Sequence, residues 1–263
     1  MGVYFHFAKL KLLVFLTYRF EVFTSLVSNL IITAAGIYLW KTAYKGIGSV
    51  QGVSESQMLI YTIMAVLLAS FFSNNVEDSL QNRISQGNIA IDLFRPINLF
   101  LVYLAEDIGI AFSSLASKLL PLFVIVSVFV KVPLPYSLEA FICFMFSSIF
   151  SFMILWLISA SIALLCFWVL QLGELKTIKG GIILLLSGKI IPLWLFPESI
   201  QRVLEFLPFQ YIYQTPLSIY IGKLTPSQAV PSMMIQLVWI ILFACLLSFG
   251  WSKAQKRVLI QGG

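Results

Sequence analysis

Two stretches of this chain, Leu99–Val130 and Ser137–Leu170, are apolar over more than 30 residues each. Very few folds can use such runs. A helix needs only ~20 apolar residues to cross a bilayer, so both are predicted to tilt or to protrude from it. Shorter runs of the same kind lie at Val22–Trp40, Gln57–Ser73, Gly180–Phe196 and Val230–Trp251. Composition closes the question of class. Hydrophobic residues make up 60% and charged residues 11% of the chain, against about 45–50% and ~25% in ordinary soluble domains. The sequence therefore predicts an all-α polytopic membrane protein with six transmembrane helices. Those spans consume nearly all of the 263 residues, leaving one transmembrane domain over 1–263 and no separate soluble domain.

The first residues, 1–21, carry Lys9, Lys11, Arg19 and Glu21 among Phe, Leu and Tyr, without a small-residue cleavage site. They predict an amphipathic interfacial helix with its basic residues toward lipid headgroups, rather than a removable signal peptide. Cys143, Cys166 and Cys245 lie inside apolar runs and read as packing residues. No internal repeat is evident.

Six spans put both termini on one side, and cation placement chooses which. Lys9, Lys11, Arg19, Arg83, Arg95, Lys176, Lys179, Lys253, Lys256 and Arg257 fall on the terminal side; Lys41, Lys45, Lys131, Arg202 and Lys223 fall on the other. The two-to-one excess makes the termini cytoplasmic. The net charge of +6 then needs no nucleic-acid partner.

The longest polar passage, Asn74–Leu99, lies on that cytoplasmic side. Val76, Leu80 and Ile84 recur every four residues, which predicts a helix, with Glu77, Asp78, Gln81, Asn82 and Ser85 on its remaining surface. Gly87-Asn88 is a helix stop. A mixed segment, Ile89–Arg95, follows, and Pro96 biases Arg95 away from helix. The passage is longer than two membrane helices need for a connection. It reads either as a docking surface for a soluble partner or as a solvated loop.

Gly180–Phe196 is short, broken at Ser187-Gly188, and carries Lys189. Non-helical backbone at depth survives only inside protein or along a wet cavity. In Pro197–Leu207 the residues Ile200, Val203, Leu204 and Leu207 form one apolar face, and Glu198 pairs with Arg202 at i, i+4. That predicts a short helix in the outer leaflet, with Tyr211, Tyr213 and Tyr220 at headgroup level. Between the two longest runs, Lys131-Val-Pro-Leu-Pro-Tyr136 is a tight turn; Gln171–Lys179 is a second cytoplasmic loop.

This order of parts resembles the permease subunits of type-2 ABC exporters. The text also resembles one subfamily of permease components, at Gly87-Asn-Ile-Ala-Ile-Asp-Leu-Phe-Arg-Pro96, Leu186-Ser-Gly-Lys-Ile-Ile-Pro-Leu-Trp-Leu-Phe-Pro197, Leu207-Pro-Phe-Gln-Tyr211 through Pro216 to Gly222, and Gly262-Gly263. The resemblance implies a coupling loop between spans two and three and re-entrant outer-leaflet helices between spans five and six. It implies a bacterial plasma-membrane location and a cytoplasmic ABC ATPase partner holding ATP and Mg. It also implies a second permease, more often a different chain than a copy. It leaves the cargo open, because such exporters move lipids, glycans, peptides and drugs.

The residues agree. No G-x-x-x-x-G-K-[ST] loop is present, His6 is the sole histidine, and no metal or nucleophile set assembles, so the chain reads as a non-catalytic permease subunit. Asp92, Leu93, Phe94 and Arg95 are the candidate ATPase-coupling residues, Phe94 as an apolar plug and Asp92 and Arg95 as its charged rim. Ser187, Gly188, Lys189 and Lys118 are candidates for the translocation path, although either lysine could instead snorkel to the surface. The alternative is a stand-alone secondary transporter or channel using intramembrane carboxylates. Glu106-Asp107 and Glu139 would have to supply them, and interfacial positions explain both. Ser147 and Ser151, spaced for close helix approach, await a neighbour that the sequence does not name.

Overall fold

The computed structural model describes residues 2–17, 19–93, 97–129, 135, 137–169 and 171–261. Most of the described residues are helical. Helix α1 (Gly2–Thr17) leads into α2 (Arg19–Ala43), and a two-residue-strand hairpin, β1 (Ser49–Val50) and β2 (Val53–Ser54), follows. Its tip, Gln51-Gly52, has φ of 50° and 75°, the left-handed pair that a tight hairpin requires. Ser54 then caps α3 (Glu55–Phe71) in a reciprocal box with Gln57.

Helix α4 (Val76–Ser85) almost continues α3, and Gly87, at φ 73°, ends it. Short α5 (Ile89–Leu93) precedes α6 (Leu99–Ser114), capped by Asn98. One π turn, Leu115–Leu119, joins α6 to α7 (Leu120–Phe129). Pro121 accounts for it. Its ring would clash with the Ser117 carbonyl in a regular helix, and a widened turn relieves this. Ser137 caps α8 (Leu138–Ala163). After a 3-10 turn come α9 (Gly173–Leu186), α10 (Glu198–Glu205), α11 (Gln214–Tyr220) and α12 (Pro226–Gln261).

Among the described residues, five helical segments are long and apolar enough to cross a membrane: Phe20–Ala43, Glu55–Ser85, Leu99–Val128, Leu138–Phe167 and Pro226–Arg257. The chain is an all-α polytopic membrane protein. Its core is α3, largely buried, packed with α8 and the short α11. The bundle has two ends. One holds the hairpin and the turn at 221–225, joined by Gln57 Nε2 donating to the Ile221 carbonyl at 2.9 Å. The other holds α4, beside the last turns of α8 and α12.

Several expectations change. The fifth span was placed at 180–196 with a polar loop before it; the helix instead begins at Gly173, inside that loop, and stops at Leu186. At 14 residues it is ~21 Å long, short of the ~30 Å hydrocarbon core, and the chain continues past its break at Ser187-Gly188. The last helix, expected to end at Trp251, runs on through the basic segment Lys253–Arg257. Tyr211, Tyr213 and Tyr220 do not form a headgroup belt. All three are buried, because the chain after α10 dips inward: the Tyr211 carbonyl meets Ser151 at mid-length of α8. Tyr213 packs edge-on against Phe72, and Tyr220 against Phe144. Finally, α1 lies along α6, with the Ala8 carbonyl against Gly109, where only a glycine leaves room. Lys11 there turns to Glu106 at 3.6 Å instead of to headgroups, while Lys9 stays exposed.

Candidate functional site: the α4 clamp and the α9 break

Helix α4 carries more than a solvated surface. Val76 and Leu80 bury its apolar stripe, and its polar residues reach three membrane helices. Glu77, expected at the surface, is buried. Its carboxylate accepts from Lys179 Nζ at 2.7 Å, and the same ammonium donates to Ser159 Oγ of α8 at 2.9 Å. Asp78 pairs with Lys176, one turn earlier on α9. Gln81 Oε1 accepts from the Leu172 N–H at 3.2 Å, just before α9 begins. The N-terminus of α4 is tied to α6, where Asp107 Oδ1 accepts from Asn75 N–H at 2.8 Å and Oδ2 from Trp156 Nε1 at 2.9 Å. Asp107 is 1% exposed and both its oxygens are satisfied. It is a structural joint between α4, α6 and α8 at the α4 end of the bundle.

Of the candidate coupling residues, Phe94 and Arg95 lie outside the described residues, and Leu93 ends α5. Asp92 is 6% exposed and stands 3.3 Å from Arg83 of α4. The rim expected at Asp92 is thus turned inward, fastening α5 to α4. A cleft of about 210 Å³ opens behind this pair, bounded by Lys11, Arg83, Asp92, Tyr103 and Glu106.

The second focus is the stop of α9. Gly188 takes φ 80°, and an added Cβ would meet Gln214 Oε1 and Tyr61 OH at 2.5 and 2.9 Å. Tyr61 OH donates at 2.6 Å to the Gly188 carbonyl, with Gln214 Oε1 at 2.9 Å. Gln214 N–H donates to the Ser187 carbonyl at 2.9 Å, and Leu193 N–H reaches Gln214 Oε1 at 3.1 Å. Backbone groups freed by the break are therefore answered by α3 and by the start of α11, as burial away from water demands. Lys189 is half-buried, its Nζ 5.7 Å from the centre of the Tyr213 ring. Lys118 sits apart, within the π turn. Ser187, Gly188 and Lys189 thus share one site, and Lys118 does not join it.

A third polar node holds the neighbour that Ser147 and Ser151 awaited. It is α12, whose Gln236 is fully buried. Gln236 Oε1 accepts from Ser147 Oγ at 3.1 Å, and Nε2 lies within 2.8 to 3.2 Å of Tyr211 O, Ser151 Oγ and Ser147 O. Tyr61, Gln214 and Gln236 were missed in sequence reasoning. A lone amide within an apolar span, such as Gln236, was a usable signal.

A model of the family described as "ABC-2 family transporter protein" matches residues 30–262. The chain belongs to the ABC-2 transporter family. It is a multi-pass permease, the transmembrane component of an ABC transporter, and family membership implies an ABC ATPase partner. The match takes in the α4 clamp, the α9 break and the Gln236 node of this ABC-2 permease alike. Comparison with curated proteins and with solved structures gave no match.

Proposed function

We propose that this ABC-2 permease forms half of the translocation path of an exporter in a bacterial plasma membrane, with both termini cytoplasmic. A second permease, a different chain, supplies the other half, surrounded by membrane lipid. A cytoplasmic ATPase that holds ATP and Mg docks on the segment 87–96 through Leu93, Phe94 and Arg95. Asp92 serves from within, by fixing α5 to α4. The observation that carries this reading is the α4 clamp. A ten-residue helix next to the docking segment is bonded directly to α9, through its N-cap residue Asn75 to α6, and by way of Lys179 to α8, so a push on α4 moves three membrane helices together. The segment 187–220 is the re-entrant part, and Ser187, Gly188 and Lys189 line the path at the α9 break, with Lys118 further along it.

Co-purification and ATP hydrolysis test the docking. Phe94→Ala should weaken recovery of the ATPase, since losing an aromatic anchor costs about 2 kcal/mol, roughly thirtyfold in affinity. Lys179→Met should leave the ATPase bound but unresponsive to cargo. Lys189→Met should alter export with assembly intact. Gradient-driven uptake by the lone chain in liposomes, unchanged by Phe94→Ala, would overturn the reading.

A further inference from the structure

At the hairpin end, α10, the turn at 221–225 and the first turns of α12 enclose a cavity of about 560 Å³. One part of its lining is rich in donors. Trp194 is only 7% exposed, yet its indole Nε1 meets no acceptor among the described residues. A buried N–H left unmade is costly, so such a group marks a place where an acceptor belongs. Lys223 Nζ stands 4.8 Å from the centre of the same ring, held by a 2.8 Å bond to the Gln51 carbonyl. A fixed cation and an unanswered donor therefore share one wall. An apolar strip of the lining runs outward from there: Leu204 is buried, Ile235 is exposed, and Phe206 is 80% exposed on the bundle surface, while Gln201, Gln210, Gln228 and Ser232 line the rest. Glu205 is exposed at the rim, where solvent screens it.

We propose that this cavity binds an amphiphile whose head carries an anionic oxygen, with the head at Trp194 and Lys223 and the chain along Phe206 and Ile235. A neutral head would answer the indole but leave the ammonium's charge unused. A soluble anion would answer both and leave the apolar wall bare. The occupant would also abut the α9 break, because Trp194 packs edge-on against Tyr61 at 5.2 Å, and Tyr61 bonds Gly188. The site stands on its own lining. It is independent of ATPase docking, so failure of either proposal leaves the other in place.

The test is binding to the assembled, delipidated complex, read as adducts by native mass spectrometry. Three probes separate the sources: phosphatidylglycerol, diacylglycerol with the same chains, and glycerol phosphate. Phosphatidylglycerol should bind best. Trp194→Phe, which keeps the ring and loses the N–H, and Lys223→Gln should each weaken it roughly tenfold. Lys253→Gln, whose ammonium lies over Phe249 toward the opposite end, should leave binding unchanged. Diacylglycerol bound as tightly would overturn the anionic head, and glycerol phosphate bound as tightly would overturn the chain. Phosphatidylglycerol binding unaltered in both cavity variants would overturn the site.

Discussion

Single side chains in this protein act by closing breaks in the backbone. Gly188 is the sharpest case, because its φ of 80° disfavours any Cβ, and the space beside it is already taken by Tyr61 and Gln214. Gly188→Ala should destabilise the protein by at least about 1–2 kcal/mol from backbone strain, with more from displacing the Tyr61 hydroxyl. Thermal melting in detergent checks this. Tyr61→Phe should cost about 1–3 kcal/mol, since it leaves the buried Gly188 carbonyl short of a donor, while Gln214 Oε1 keeps the Leu193 N–H. Lys179 offers a second case, as one ammonium serves Glu77 and Ser159 together. Lys179→Met should cost more than Glu77→Gln, because it strands a buried carboxylate, whereas the amide still accepts from the ammonium. The double variant should be milder than the sum of the two single ones. Additive losses in that cycle would mean that the pair does not join α4 to α9.

At the scale of elements, periodicity and capping made most helices legible. Val76, Leu80 and Ile84 gave α4, and the break at Ser187-Gly188 was visible in the sequence before its partners were. Polar burial was far less legible. Glu77 and Asp92 read as surface charges because helical spacing shows which residues share a face, but not that Lys179 and Arg83 would come to meet them. Gln171–Lys179 read as loop for the same reason: its Lys176 and Lys179 are paired on α4 rather than solvated. The tyrosines after α10 read as a headgroup belt because the inward dip that buries them is a tertiary fact, made by Ser151 and Gln236 on two other helices. A consequence at this scale concerns α5. Asp92→Asn removes the charge opposite Arg83 and should loosen α5 from α4. The ATPase should then remain bound while its stimulation by cargo falls; unchanged stimulation would place the coupling elsewhere.

For the molecule as a whole, the two ends of the bundle should face opposite sides of the membrane. Cysteines introduced at Ser54, Ser199 and Ser227 should label from outside intact cells; those at Ser79, Thr177 and Gln255 should label only after permeabilisation. An outside-labelled Ser79→Cys variant would reverse the orientation and remove the basis for cytoplasmic docking. The shortness of α9 also bears on how this protein is made. A 14-residue helix is too brief to partition into the bilayer as an independent segment during synthesis. The stretch behind it has no bilayer-spanning helix of its own before α12. One of the bonds that hold that stretch at depth, to the Tyr211 carbonyl, comes from Gln236, which emerges from the ribosome after it. Residues 187–220 should therefore stay open to added protease in a nascent chain stopped at Thr225, and become resistant once α12 has followed them into the membrane.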